Sequence, residues 1–315
     1  MEPWEEPRDG KDYGAKCQQV NPGRGTMMGS EDCLFLNVFT PRIPSRADRQ
    51  PPASSLVPVM VYIHGGDWMS GSGNIDPAPL VDKGVVVVSM NYRLGPLGFL
   101  NLGNQYISGN QGMKDQLLAM QWVRQNIYAF GGDANRVTIF GEGAGGSSVH
   151  LHLLSPLGEG LYRNGIAQSG NALSRLLEAR RRGVTEAEAK RFLVHTECDL
   201  GGETEVVTCL QGKTVAKLFD NPDAEGDEAR DGQDGLAPFR YEVCVQSCAN
   251  LRASSCVNHA PAITVSRCRQ TGFTHFLPHK YPLLNSLTLI ILLDMSRPST
   301  TMPRFRLCRH ILMSR

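Results

Sequence analysis

The chain has 315 residues, a formal net charge of +1, and 41% hydrophobic and 20% charged residues. Those proportions describe an ordinary globular chain long enough for one large α/β domain or two small ones. The near-neutral balance provides no strong field for nucleic acid, anionic membrane or acidic substrates. The longest aliphatic stretch near the end, Leu287 to Leu293, falls far short of the roughly 20 residues of a membrane-spanning helix. Met1-Glu-Pro-Trp-Glu-Glu-Pro lacks the basic and apolar regions of a signal peptide.

Nine cysteines are present, and their placement matters more than their number. Cys17 and Cys33 bracket one Gly-rich loop, and Cys198 and Cys209 bracket another. Pairs closing short loops suit an oxidising compartment, although spacing alone leaves four unrelated buried thiols equally open. Cys244, Cys248, Cys256 and Cys268 lack the tight paired hooks of a zinc module, so no metal is expected.

In chain order, Leu56 to His64 and Gly84 to Tyr92 are near-continuous apolar runs rich in β-branched residues, followed by Arg136 to Phe140 (RVTIF) and Asn164 to Gln168 (NGIAQ). Unalternated runs of this kind predict strands buried on both faces of a mostly parallel sheet. Between the second and third, Gly112 to Phe130 repeats Leu117, Met120, Val123 and Ile127 at helical spacing. Strands alternating with helices predict a doubly wound α/β fold with helices on both faces. Thr185-Glu-Ala-Glu188 reads as a capping box opening a helix to about Val194. Beyond Asn221 the period disappears, which divides the chain into a domain over 1–221 and a linker with a divergent tail over 222–315.

The third strand runs into Phe140-Gly141-Glu142-Gly143-Ala144-Gly145-Gly146. A strand, a sharp glycine turn and a small-residue helix start form the setting in which hydrolases place G-x-S-x-G. The central residue must offer a hydroxyl to a carbonyl carbon, and Gly143 has none. The same glycines satisfy G-x-G-x-x-G numerically, which keeps a dinucleotide-binding turn open at this point.

The segments SEDCLFLNVFTP (Ser30–Pro41), PVMVYIHGG (Pro58–Gly66), NYRLGPLGFL (Asn91–Leu100), FGGDANRVTIFGEGAGG (Phe130–Gly146) and AQSGNALS (Ala167–Ser174) decide between those readings. Together and in this order they resemble the type-B carboxylesterase family, which includes cholinesterases and neuroligin-type adhesion proteins. The resemblance implies an α/β-hydrolase fold and places Gly143 where the family carries its nucleophilic serine. It implies oxyanion-hole donors at Gly65, Gly66 and Ala144, with Asp67 replacing a third glycine, and no cofactor. It also implies disulfides Cys17–Cys33 and Cys198–Cys209, a buried Glu31–Arg93 ion pair, and a structural role for Asp133 whose arginine partner lies upstream of this chain.

The family's catalytic acid and histidine have no recognisable counterpart in 223–315; His259, His275, His279 and His310 lack the expected context. The expectation is therefore a catalytically inactive family member, truncated at both ends. An ester-like small ligand or a protein partner is expected, with an extracellular location by resemblance. A neuroligin-like binding module and a truncated or frameshifted esterase product are the alternatives.

Overall fold

The computed structural model describes residues 10–21, 23–42, 52–172, 182–199 and 201–220, with the backbone of 291–294; side chains of 182–188 and 291–294 are outside that description. Two short strands, β1 (Gln19–Val20) and β2 (Met27–Met28), pair antiparallel near the N-terminus. Six more strands form one sheet: β3 (Leu36–Phe39), β4 (Val57–Ile63), β5 (Val86–Met90), β6 (Gly132–Glu142), β7 (Asn164–Gln168) and β8 (Ile291–Asp294). Their order is β3-β5-β4-β6-β7-β8. The β5-β4-β6-β7 centre is parallel, whereas β3 and β8 join antiparallel at the two edges.

All four expected strand segments appear. In β5 every residue is buried, as an unalternated apolar run requires of a strand covered on both faces. In β4, Val59, Val61 and Ile63 are fully buried. Pro58, which cannot donate to a ladder, coincides with the register shift between Val57 and Val59. The edge strands β3 and β8 were not foreseen. β8 is supplied by the aliphatic stretch near the chain end; the rest of 222–315, with its five cysteines and four histidines, lies outside the described residues.

The helices are α1 (Ala78–Val81), α2 (Gly95–Phe99), α3 (Gln111–Asn126), α4 (Ala144–Leu154), α5 (Arg182–His195), α6 (Glu203–Gln211) and α7 (Val215–Phe219). α4 packs against β4, β6 and β7, and α3 packs against β6. Met120, Val123 and Ile127 of the expected helical face are fully buried with β4 and β5 in one apolar core, each contributing about 1.5–3 kcal/mol. The fourth member of that face is Gln116, fully buried, while Leu117 is half-buried. α5 begins at Arg182, so Thr185 lies inside the helix and does not cap it; the helix-forming run Glu186 to Arg191 continues through it.

Disulfides join Cys17 to Cys33 and Cys198 to Cys209, closing separations of 16 and 11 residues. Loops of that size stabilise by about 3 kcal/mol in the chain-entropy account. The second disulfide sits in a separate apolar cluster with Phe192, Val206 and Leu210. Among the described residues no helix is long and apolar enough to cross a membrane.

One ion-pair expectation is corrected. Arg93 binds Asp115, not Glu31: Nε reaches Oδ2 and Nη2 reaches Oδ1, both at 2.8 Å, and the Arg93 backbone N–H adds a third bond to Oδ2 at 3.1 Å. Asp115 is the buried carboxylate and needs these donors, whereas Glu31 is exposed. Glu31 and Arg93 still line one cleft of about 140 Å³ beside the first disulfide. Within the chain, Asp133 pairs with Arg136 at 2.7 Å, three residues on.

Candidate active site

β6 ends at Glu142 and α4 begins at Ala144, leaving Gly143 alone in the turn with φ 58° and ψ −122°. The turn is fixed from both sides. Gly143 N–H donates to the Gln168 carbonyl of β7, and the Gly143 carbonyl accepts from Ser147 N–H, each at 2.9 Å. Around it, a Cβ on Gly141 or Gly145 would collide with the Ile63 carbonyl oxygen, and one on Gly146 would lie 2.7 Å from the Gln168 carbonyl oxygen. These glycines let α4 approach β4 and β7 at backbone distance. Gly143 differs: a Cβ there meets nothing within 4 Å. Its site holds room for a side chain, and only its positive φ disfavours one.

The loop after β4 comes up against this turn. A Cβ on Gly65 would lie 2.5 Å from the Glu142 carbonyl oxygen and 3.8 Å from the Ala144 nitrogen. Gly65 and Ala144 are thus brought together. Gly66, at φ 98°, turns the chain, and its carbonyl accepts from Met69 and Ser70 N–H at 2.9 and 3.0 Å. Asp67 is exposed, and Ala144 is buried.

Each described histidine is already engaged. The His64 ring stacks on Tyr92 with centroids 4.2 Å apart, and its Nδ1 lies 2.8 Å from the Gly65 carbonyl; its buried Nε2 has no partner. Burial pushes the His64 pKa down to about 4 and so keeps the ring neutral. His150 Nδ1 accepts from Ala172 N–H at 3.1 Å, and burial lowers its pKa too. His152 Nε2 is 2.8 Å from Gln116 Oε1, its pKa also pushed down to about 4 by burial. His195 lies 3.3 Å from Asp220 at the end of α7.

The sequence of the chain matches that of the carboxylesterase family over residues 1–265. The chain belongs to the carboxylesterase family. It is 42% identical over 215 residues to esterase E4 of Myzus persicae, a stretch covering 66% of this chain and 38% of that protein. It is 41% identical over 232 residues to the juvenile hormone esterase of Tribolium castaneum, covering 70% and 37%. It is 42% identical over 206 residues to neuroligin-2 of Mus musculus, covering 61% and 24%. Among solved structures it resembles the juvenile hormone esterase of Manduca sexta with OTFP covalently attached, at 32% identity and a TM-score of 0.60, covering 69% of this chain and 41% of the other. The chain thus spans about two fifths or less of the length of these relatives. Its fold is that of the α/β-hydrolases.

Sequence reading missed a buried polar chain behind the carboxylesterase-type elbow. Trp68 Nε1–H donates to Ser148 Oγ at 2.9 Å, and Gln116 Nε2 donates to the same oxygen at 3.4 Å. Gln116 Oε1 in turn meets His152, and the Tyr162 hydroxyl donates to the His152 carbonyl at 2.6 Å. One signal was available: Gln116 stands on the otherwise apolar face of α3, and a buried amide requires partners.

Proposed function

We propose that this chain is a non-hydrolytic member of the carboxylesterase family that retains the oxyanion-binding amides and holds a neutral ester carbonyl without covalent chemistry. The observation that carries this reading is Gly143, which occupies the strained turn position with no side chain. Without an Oγ there is no bond to form to the carbonyl carbon and no proton to remove. The amides of Gly65, Gly66 and Ala144 supply the polarising donors. The exposed Asp67 carboxylate favours a neutral ligand over an anionic one through repulsion. Losing the nucleophile costs on the order of 10⁶ in turnover in subtilisin, which sets the scale expected here.

Turnover of 4-nitrophenyl butyrate and labelling by a fluorophosphonate probe test the reading. Neither is expected; stoichiometric labelling overturns it. Binding is read separately from backbone amide shifts of Gly65, Gly66 and Ala144 on adding methyl butyrate, with saturable shifts expected.

The likeness to neuroligin-2 favours a second reading, a protein-binding module that uses the family scaffold without its chemistry. A specific extracellular protein captured by the chain, together with unshifted amides in the ester titration, supports that reading over the first. The two disulfides support an oxidising, extracellular setting. The division near residue 221 is tested by limited proteolysis: a stable core ending near residue 220 supports it, and retention of the β8 segment with the core overturns it.

A further inference from the structure

The loop that carries Gly65 and Gly66 continues into Asp67 at φ 53° and Trp68 at φ 56°. Two successive residues with side chains in the left-handed region are unfavourable, and such a conformation persists only where its surroundings fix it. Trp68 provides the fixing. Its indole is buried, and Nε1–H reaches Ser148 Oγ of α4 at 2.9 Å. Its carbonyl accepts from Gly95 N–H at the start of α2 at 2.8 Å, and its ring sits 6.3 Å from Phe99 of the same helix. Ser148 is itself fully buried and held by Gln116.

α4 is also the helix whose first residue, Ala144, brings its nitrogen to the Gly65 position. The indole–hydroxyl bond therefore ties the loop arm of the amide cluster to the element bearing the elbow arm. We infer that Trp68 is a positioning residue: by bonding Ser148 it sets the spacing between the Gly65–Gly66 amides and the Ala144 amide, and so the affinity for a carbonyl oxygen between them. This rests on the ligand-binding reading above. A phenylalanine fills most of the same volume and keeps a ring contact with Phe99 but cannot make the bond.

The test is the methyl butyrate titration, followed by amide shifts, on the full chain and on Trp68→Phe. The removal of one such hydrogen bond weakens binding about three- to tenfold. Because both variants remove the same indole–hydroxyl bond, adding Trp68→Phe to Ser148→Ala, which also removes the Gln116 contact, weakens binding no further than Ser148→Ala alone. A purely space-filling role for Trp68 predicts that Ser148→Ala, with the indole retained, binds as the unaltered chain does. If the unaltered chain shows no saturable shift, the ligand-binding reading fails. If it binds and the folded Trp68→Phe chain binds equally well, the positioning role fails while that reading stands. Ser148→Ala carries the same comparison where Trp68→Phe does not fold.

Discussion

Substituting Gly143→Ser separates the two things this position does. The new Cβ enters space where nothing lies within 4 Å, so overpacking contributes nothing to the cost. What remains is the backbone: φ is 58°, and a residue with a Cβ in such a region costs about 1–3 kcal/mol. At about 2–4 °C per kcal/mol for a domain of this size, the melting midpoint falls measurably, and Gly143→Ala lowers it equally because the Cβ carries the strain. The hydroxyl gained remains without a base. His150, His152 and His195 are each committed to other partners, the unpartnered Nε2 of His64 is buried, and in subtilisin loss of the histidine alone costs about as much as loss of the whole triad. The Gly143→Ser chain is therefore expected to stay unlabelled by a fluorophosphonate and to leave 4-nitrophenyl butyrate intact. Stoichiometric labelling refutes the argument by showing that the chain supplies a base. Unchanged melting in both variants refutes the strain assignment.

Three further outcomes follow from the geometry. Gly145→Ala drives a methyl into the Ile63 carbonyl oxygen and should destabilise by about 1–3 kcal/mol, read from urea midpoints. Arg93→Met strands Asp115, whose side chain is 7% exposed, whereas Asp115→Asn leaves an Arg93 side chain that is 39% exposed and able to reach water; the first should cost more, by about 1–3 kcal/mol, and Glu31→Gln should change stability by less than about 0.5 kcal/mol. Equal effects of Arg93→Met and Glu31→Gln would restore the Glu31 pairing. For pH, His64 and His152 fold with their pKa values lowered from 6.5 to about 4 by burial. The unfolded chain then binds more protons below pH 6.5, so stability is fully present above that value and falls as pH drops toward 4. The slope is about 1.4 kcal/mol per pH unit for each histidine. A urea midpoint that stays level between pH 6.5 and 4.5 would contradict their burial as neutral rings.

What was legible in the sequence depended on how local its cause was. β5 is written in its own residues, because a strand covered on both faces needs an unbroken apolar run. The partner of Arg93 is not: Glu31 and Asp115 are both carboxylates, and only tertiary packing decides which is buried and needs the guanidinium. The same applies to Gln116, whose place on an apolar face makes sense only once Trp68, Ser148 and His152 close around it. β3 and β8 escaped notice because four-residue edge strands carry too few alternations to stand out.

The elbow was readable for the opposite reason, since its glycines record how closely two backbones pass. Gly141, Gly145 and Gly146 are each required by a carbonyl oxygen that a Cβ would strike. Gly143 alone faces open space. The close packing of α4 on the sheet therefore never depended on what stood at position 143. A glycine there relaxes the turn, while the helix, the loop and the Trp68 contact remain as they are. The retained architecture is thus no evidence of retained catalysis; it is what the other three glycines produce by themselves.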